Sequence, residues 1–569
     1  MFTDSLKKTP KLFLVLLIYI FTKSYAYSLT DGEDVLYAVK STGGSTQDWG
    51  TIAPSTGSFT SILQISPTGL GWPLGDIGSE PDPINGYVYT RQTDGADLDG
   101  LVDNESLGSS GNFTIDGALS SRASSSFSST VSINSSSNNT SVIFTITGTD
   151  SDGNTQNETV TGVNNNTVNS TKSFKTITQI SSDAAANGIN IGKSTSVVDI
   201  LSIKKSDGTT KWLGLSGDSL VVGYDTKNNK LIYRESTGST NTLKSYDTST
   251  STSSSIGTFG GSNISWQAGG IGAVDSYSRT AFQLRPNATS TIYKINLDDG
   301  TETSVSISNY ITTIAWDSKE QKLYGLYDSN SNGAYRVAEI NTSDGSLTNV
   351  GAADTVAGMS NYVQVIAPND QRYYIQESGG SIRAISLTDG SSLGTFSAPL
   401  RLMPPGAVVL GDASTDETVT FDIDAPDSKL IKKGANDVTY TGTNNSSGGV
   451  DIDAGTLKVS SSTNLGSGSV SLEGGELEIS ADATITNAIA STNDSSAIDT
   501  GTNTVTVSGT VSGSNAITKK GSGTLEITGT NNLSGTAKVE AGTLKVASSD
   551  KLGSGSVSLE GGELEISAD

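Results

Sequence analysis

Hydrophobic and polar residues alternate along short segments of this chain. In GSVSLEGGELEI at 468–479, Val470, Leu472, Leu477 and Ile479 share one parity if the Gly-Gly pair makes a turn. Segments of about four to six residues with a period of two, separated by Gly, Asn and Ser, predict β-strands joined by turns. Beyond the N-terminus no amphipathic run is long enough for a helix, so we expect an all-β protein.

The C-terminal part of the chain repeats itself at one constant offset. LGSGSVSLEGGELEISAD at 465–482 recurs letter for letter at 552–569, and KKG at 432–434 recurs at 519–521, 87 positions later. A constant offset indicates one structural unit copied in tandem. Short strands with regular Gly, Asn and Ser predict a right-handed parallel β-helix, in which coils of about 20–25 residues would give about four coils per unit.

Two further expectations concern this repeat. If the copies are equivalent turns of one solenoid, Leu477 and Leu564 lie on the same inward-facing ladder. The chain stops at Asp569 in mid-phrase, because the first copy continues with ATITNAIA at 483–490. We interpret this end as that of an incomplete sequence, where an uncapped coil would expose apolar residues.

The repeat resembles a known family. LIKKGANDVTYTGTNNSSGGVDIDAGTLKV and AITKKGSGTLEITGTNNLSGTAKVEAGTLKV are similar to the autotransporter-associated β-strand repeat, with its phrases K-x-G-x-G-T-L and A-G-T-L-x-V. The first copy departs at 435–437, where the usual Gly-Thr is missing. The resemblance covers residues 415–569 and implies a passenger domain displayed outside a Gram-negative cell. In that family a C-terminal membrane barrel would follow, and it would be the chain's only contact with a membrane.

The residues before the repeats show a less regular periodicity. LVVGYDTKNNKLIY, IGAVDSYSRTAF, IAWDSKEQKLYGL and VIAPNDQRYYI place Tyr233, Phe282, Tyr324 and Tyr374 at intervals of 49, 42 and 50 residues. An apolar strand, a turn and an aromatic strand recurring every 40 to 50 residues predict a β-propeller. With the earlier strands we expect about six blades, one of them shared between the N-terminal strands and residues 401–410.

A Ser/Thr/Asn-rich segment interrupts the propeller pattern at 104–195. Its strands SVIFTITGTDSDGNTQNETVTG and SFKTITQISSDAAANGINIG predict an inserted β-sandwich-like module. The run SSRASSSFSSTVSINSSSNNTS suits a strand and a flexible linker equally. The predicted domains are therefore a propeller at 27–103 and 196–412, the insertion, and the β-helical repeats at 413–569.

The N-terminus predicts export. Lysines precede the ten apolar residues 12–21, and Ser24-Tyr25-Ala26 has the small-x-small pattern of a cleavage site, so residues 1–26 read as a signal peptide. Ten apolar residues are too few for the roughly 17–25 that span a bilayer. Removing four lysines and one aspartate changes the net charge from −24 to −27. This acidity opposes binding to nucleic acid.

The chain contains no histidine and no cysteine. It therefore has no Ser-His-Asp or Cys-His mechanism, no His-ligated zinc and no disulfide bond. Glycosidase chemistry needs two positioned acids, and no pair stands out among the acids of this sequence. We therefore expect that the protein is not an enzyme.

One segment is a candidate calcium site. TDGADLDGLVDNE contains Asp94, Asp97, Asp99, Asp103 and Glu105. Hard cations take six to eight oxygen ligands, and acids at alternate positions around a glycine would wrap one. DLDGLVDNE resembles the calcium loops of thrombospondin-type repeats, although the glutamate comes one residue early. The alternative is a solvated acidic turn, and calcium is the only cofactor that the sequence suggests.

These observations predict a secreted protein exposed at the outer membrane of a bacterial cell. As an adhesin or binding protein, it would have the β-helix as a stalk and the propeller as a head for a glycan or protein on another surface. The alternatives are an extracellular propeller-based carbohydrate-active enzyme and a purely structural envelope component. Trp72 and Trp316 would either stack on sugar rings or pack within blades, and packing is the commoner role.

Overall fold

The structure is a computed structural model. It describes residues 36–41, 47–53, 58–65, 79–94, 96–150, 153–195, 197–206, 209–215, 218–236, 240–260, 272–285, 288–328, 334–351, 356, 359–368, 370–377, 381–397, 400–403, 407–410, 416–425 and 427–567. The signal segment 1–26 and Trp72 lie outside these residues.

The strands before the solenoid fall into three groups along the chain. The first group is β1 (Leu36–Ser41), β2 (Gln47–Ala53), β3 (Ser58–Ile65), β4 (Ser79–Asp82) and β5 (Tyr87–Asp94). The second is β6 (Asp97–Leu107), β7 (Gly111–Asn112), the short helix α1 (Ser120–Ala123), β8 (Ser129–Asn138), β9 (Ile143–Thr149), β10 (Thr155–Thr161), β11 (Asn164–Phe174), β12 (Thr176–Ser182) and β13 (Ala186–Lys193). The third is β14 (Val197–Lys204), β15 (Thr210–Trp212), β16 (Asp218–Asp225), β17 (Lys230–Ser236), β18 (Thr240–Asp247), β19 (Thr252–Gly260), β20 (Gly272–Asp275), β21 (Thr280–Arg285), β22 (Ala288–Asn296), β23 (Glu302–Ser306), β24 (Ile311–Asp317), β25 (Lys322–Tyr327), β26 (Arg336–Ile340), β27 (Leu347–Asn349), β28 (Met359–Ala367), β29 (Arg372–Glu377), β30 (Ser381–Ser386), β31 (Ser392–Ser397) and β32 (Leu400–Met403).

The first and third groups form six four-stranded antiparallel sheets, which are the blades of a propeller. Their orders are β15-β14-β5-β4, β16-β17-β18-β19, β20-β21-β22-β23, β24-β25-β26-β27, β28-β29-β30-β31 and β3-β2-β1-β32. The inner strands β4, β16, β20, β24, β28 and β32 follow one another, and β32 contacts both β28 and β4. The ring is thus closed by the pairing of β1 with β32, one strand from each end of the propeller sequence. The predicted all-β fold with about six blades is confirmed.

The recurring aromatic residues lie on the second strand of four blades, at the third residue of the strand in three of them and at the fourth for Tyr233. Tyr233, Phe282, Tyr324 and Tyr374 lie on β17, β21, β25 and β29, the second strand of each blade, and all are buried. Trp316 stacks on Phe282 with ring centroids 5.4 Å apart. These aromatic side chains therefore pack between and within blades, which explains their spacing in the sequence.

The second group forms a sandwich of two four-stranded sheets, β10-β9-β12-β7 and β11-β8-β13-β6. Its own apolar core includes Phe127, Phe144 and Phe174. The sandwich begins at β6, so the boundary expected at residue 104 falls inside a strand. It is inserted between β5 and β14, the second and third strands of one blade.

Removing the sandwich tests whether the propeller folds without it. Asp94 and Val197 are paired across β5 and β14, so a two- to four-residue Gly/Ser linker in place of residues 95–196 suits a hairpin. We expect the variant to lose one calorimetric transition while the propeller transition moves by only a few degrees, because the two cores are separate. The contact of Arg122 over the Trp212 ring, 5.4 Å from its centroid, would be lost. Loss of cooperative unfolding of the propeller would contradict the separation.

The solenoid follows the propeller and contains short parallel strands. They are β33 (Ala407–Leu410), β34 (Glu417–Val419), β35 (Lys429–Lys432), β36 (Val438–Tyr440), β37 (Val450–Ile452), β38 (Thr456–Val459), β39 (Val470–Leu472), β40 (Glu476–Ile479), β41 (Ala483–Ile485), β42 (Ile489–Ser491), β43 (Ala497–Asp499), β44 (Thr504–Val507), β45 (Val511–Gly513), β46 (Ile517–Lys520), β47 (Thr524–Ile527), β48 (Asn531–Leu533), β49 (Ala537–Val539), β50 (Thr543–Val546), β51 (Val557–Leu559) and β52 (Glu563–Ile566). Two 3-10 helices, η1 (Ser462–Asn464) and η2 (Ser549–Leu552), replace a strand on one side of a coil.

Three parallel sheets form the sides of the solenoid. The first is β33-β35-β37-β39-β42-β45-β48, the second β34-β36-β38-β40-β43-β46-β49-β51, and the third β41-β44-β47-β50-β52. Leu457 pairs with Leu477 on the next coil, twenty residues further along the chain. Their inward side chains are buried in ladders that run through the lumen. The predicted parallel solenoid is therefore confirmed.

One repeat of 87 residues does not contain a whole number of coils. AGTLKV forms β38 on the second sheet in the first copy and β50 on the third sheet in the second copy. Between them the chain passes through the second sheet at β40, β43, β46 and β49, so a repeat is four coils and one further side. The expectation that Leu477 and Leu564 share a ladder is therefore wrong. Strands on every side have the same alternation, so the sequence pattern does not distinguish the sides.

Candidate functional site

The acidic segment predicted to bind calcium belongs to strands. Asp94 ends β5, and the other four acids lie on β6. Leu101 and Val102, in the middle of this segment, are buried in the sandwich core. β6 pairs with β13, which places Lys193 opposite Asp97. Pairing with residues about ninety positions away thus makes an irregular strand of a segment whose sequence resembles a loop.

The structure brings two of the five acids together. Burial and the neighbouring Asp99 carboxylate raise the pKa of Asp97 above its ordinary value. Glu105 accepts a hydrogen bond from the Thr114 amide at 2.8 Å. The residues paired with Asp97 and Glu105 on β13, Lys193 and Ile189, are four positions apart, which at about 3.3 Å per residue separates the two acids by roughly 13 Å along the sheet.

Exposed Asp103 completes the four acids of β6. Among the described residues no group of three acidic side chains converges on one point. The side chain of Asp94 is not part of the described structure. Calcium binding at this segment stays a prediction.

Chelation tests this prediction directly. If a calcium ion is bound, a chelator should lower the melting temperature, and replacing Asp97 and Asp99 with Asn should remove that sensitivity. An unchanged melting curve in the presence of chelator would contradict calcium binding at this segment.

One turn recurs in the propeller, between the first and second strands of three blades. Buried aspartates, Asp225, Asp275 and Asp317, end the first strand of three blades. Asp275 accepts the Tyr277 amide at 3.0 Å, and Asp317 accepts the Lys319 amide at 2.9 Å. The phrases YDTKNN, VDSYSR and WDSKEQ therefore reflect one turn closed by a carboxylate.

The next blade contacts these carboxylates. Arg279 Nη1 lies 2.5 Å from Asp225 Oδ1, and Gln371 Nε2 donates to Asp317 Oδ2 at 2.8 Å. Burial raises the pKa of Asp317 above its ordinary value. The three acids stabilise their turns, and Asp225 and Asp317 also join neighbouring blades, which accounts for their recurrence.

The same face of the propeller contacts the solenoid. The turn between β4 and β5 presents the Ile84 carbonyl, which accepts the amides of Asp424 and Ala425 at 2.6 and 3.0 Å. One apolar cluster contains both propeller and solenoid residues: Ile84, Tyr89, Tyr224, Leu410, Ile423 and Leu430 among others. An open solenoid end exposes its apolar lumen, and the terminal units of such proteins need a cap. Here the propeller supplies the cap at the N-terminal end.

Ion pairs and an apolar contact complete this head–stalk junction. Lys205 Nζ lies 3.3 Å from both carboxylate oxygens of Asp427, and both side chains are buried. Lys319, on the turn after β24, lies 3.8 Å from Asp451 of β37. Tyr277 packs against Ile431 on the outer side of β35. No local sequence pattern marks these residues, since partners such as Lys205 and Asp427 are 222 positions apart.

The recurring KKG phrase has a structural role that its sequence alone does not reveal. Lys432 Nζ donates to the carbonyl oxygens of Lys433, Gly434 and Ala454 at 2.9, 2.8 and 2.9 Å. Lys519 repeats this pattern with Lys520, Gly521 and Ala541. Burial lowers the pKa of both lysines to about 8. Each ammonium therefore joins its own turn to the AG turn of the next coil.

Residues 430–459 and 517–546 match the family described as passenger-associated-transport-repeat. The solenoid contains two passenger-associated transport repeats. Each spans four strands or more, from the strand with the buried lysine to the strand AGTLKV. These repeats and the solenoid support an autotransporter passenger, so the family resemblance of the sequence is confirmed.

Solved structures have only a low similarity to this chain. TolB from Acinetobacter baumannii has a TM-score of 0.29 and 9% identity, over 46% of this chain and 54% of that one. The Cps50 (Swd1) propeller domain from Myceliophteria thermophila has a TM-score of 0.23 and 11% identity, over 32% and 56%. The chain thus spans about half the length of each. No curated protein matches the sequence.

The described residues contain no helix with the length and apolar character needed to cross a bilayer.

Proposed function

We propose that the protein is a surface-displayed binding protein, with the propeller and sandwich as its head and the passenger-associated transport repeats as its stalk. The observation that supports this most is the head–stalk junction. A shared apolar cluster and a buried ion pair join the two parts, so the solenoid would carry the head as one rigid unit.

The position of the sandwich indicates which side of the head would meet a ligand. β5 begins at Tyr87, beside the turn that contacts the solenoid, and ends at Asp94, beside the sandwich. Eight residues of strand span roughly 25 Å. The sandwich therefore leaves the propeller on the side away from the stalk, and we place the ligand contact on that side.

The charge of the chain limits the class of ligand. With a net charge of −24, the protein would repel polyanions such as nucleic acid. A glycan or protein on another surface, neutral or positively charged, fits this charge. The repeat type itself implies a secreted, cell-surface bacterial protein.

A glycan array and a panel of host-surface proteins, probed with the full chain in multivalent form, test this function. We expect binding to at least one class, weakened at least tenfold when residues 95–196 are replaced by a short linker. The matched control is Lys545→Ala on the outer side of the stalk, which should bind as the parent does. Absence of binding to every glycan and protein, or release of product from chromogenic glycosides, would contradict the proposal.

A further inference from the structure

The two copies of the repeat make the same local contacts on different sides of the solenoid. Leu457 pairs with Leu477 on the second sheet, and Leu544 pairs with Leu564 on the third. GSVSL forms β39 on the first sheet and β51 on the second. The 3-10 helices shift likewise, since η1 contacts β41 of the third sheet and η2 contacts β48 of the first.

The corners show the same equivalence. Gly455 and Gly542, which open the AGTLKV strand, have φ values of 64° in both copies. Gly434 and Gly521, after the buried lysine, have φ values of 77° and 75°. Both pairs adopt the left-handed region that favours glycine. A given phrase therefore forms a turn of the same geometry in both copies, although the two turns lie at different corners of the triangular coil.

Local geometry explains why the sides are interchangeable. A side contains at most one strand of three or four residues, and the neighbours of that strand in the sheet come from about 20 residues before and after. Within the described solenoid, the pairing of a strand does not identify its side of the coil. A repeat must therefore contain a whole number of sides, but it need not contain a whole number of coils. Here it contains thirteen sides, which are four coils of three sides and one further side.

We infer that the solenoid is a spacer whose length changes in steps of one repeat. At a strand spacing of about 4.8 Å, each added repeat would lengthen the stalk by about 21 Å and rotate the coils after it by one third of a turn. The identical eighteen-residue phrases at 465–482 and 552–569 allow a repeat to be added with no new junction sequence. The reach of the head would be set by the number of repeats.

A tandem duplication of residues 465–551 tests this inference in the full chain. Both junctions keep native sequence, because Lys551 is already followed by the phrase that begins at Leu465. We expect small-angle X-ray scattering to show a maximum dimension longer by about 21 Å. Circular dichroism should show β-structure increased in proportion to the added residues.

The matched control carries the same duplication without residues 497–499 of the inserted copy, which deletes the strand β43 but keeps the corners on either side of it, so that the inserted copy no longer contains a whole number of sides. We expect the inserted copy of this control to be sensitive to protease, and its maximum dimension to increase by less than the full length of one repeat. An unchanged dimension of the duplicated protein, cleavage within its added copy, or an equal lengthening of the control would overturn the inference. The test uses no ligand, so its result is independent of the proposed binding function.

Discussion

Asp427→Ala is expected to lower the free energy of unfolding by about 3–5 kcal/mol, as removal of one partner from a buried ion pair does. The substitution removes the Asp427 carboxylate from the buried Lys205 ammonium, and both side chains are less than a tenth exposed. Denaturant unfolding of the full chain, followed by tryptophan fluorescence, measures the change. The effect should extend to the propeller and the first coils together.

An exposed pair provides the control for this prediction. Lys322 and Glu339, 3.1 Å apart, are each more than a third exposed. Glu339→Ala should cost less than about 1 kcal/mol, as exposed ion pairs do. The double variant Lys205→Met with Asp427→Leu should recover most of the lost stability. Equal, small effects of Asp427→Ala and Glu339→Ala would show that the junction does not depend on this pair.

Lys432→Met should destabilise the solenoid by about 2–4 kcal/mol. The methionine keeps the apolar stem but leaves three carbonyl oxygens, of Lys433, Gly434 and Ala454, without their donor, and each buried unsatisfied acceptor costs about 1–3 kcal/mol. Relief from burying the ammonium offsets part of this cost. Thermal unfolding by circular dichroism measures the result.

The neighbouring lysine is the control. Lys433 forms one pair with Asp453 at 2.6 Å, with side chains 16% and 25% exposed, so Lys433→Met removes one contact instead of three and should cost less than Lys432→Met. In the second copy, Lys519→Met should likewise destabilise the solenoid more than Lys520→Met does. A cost at Lys432 no greater than that at Lys433 would mean that the buried lysine does not hold the coils together.

The propeller and the solenoid were predictable because each depends on a repeated local pattern. Tyr233, Phe282, Tyr324 and Tyr374 recur at blade intervals and are all buried on second strands. The alternation around Leu477 likewise predicts its inward position. Such patterns reflect contacts between residues that are close in the sequence, so they can be recognised from the sequence alone.

Other features depend on contacts that leave no local signal. The acids of β6 alternate as they would in a calcium loop, but pairing with β13 makes the segment a strand. The constant offset of the repeat does not reveal that successive copies occupy different sides of the coil. Asp427 at the junction and the buried Lys432 both read as ordinary surface charges, although recurrence of KKG at the same offset is a signal for the lysine.

Native-state hydrogen exchange tests most directly whether the head and stalk share one core. The amides of Asp424 and Ala425, which donate to the Ile84 carbonyl, report on the junction, and the amides of β17 report on the propeller. If the propeller caps the solenoid, the two sets should exchange with opening free energies that agree within about 1 kcal/mol and respond equally to denaturant. Exchange of the junction amides orders of magnitude faster, with β17 still protected, would show that the solenoid separates while the propeller stays folded, and would contradict a shared core.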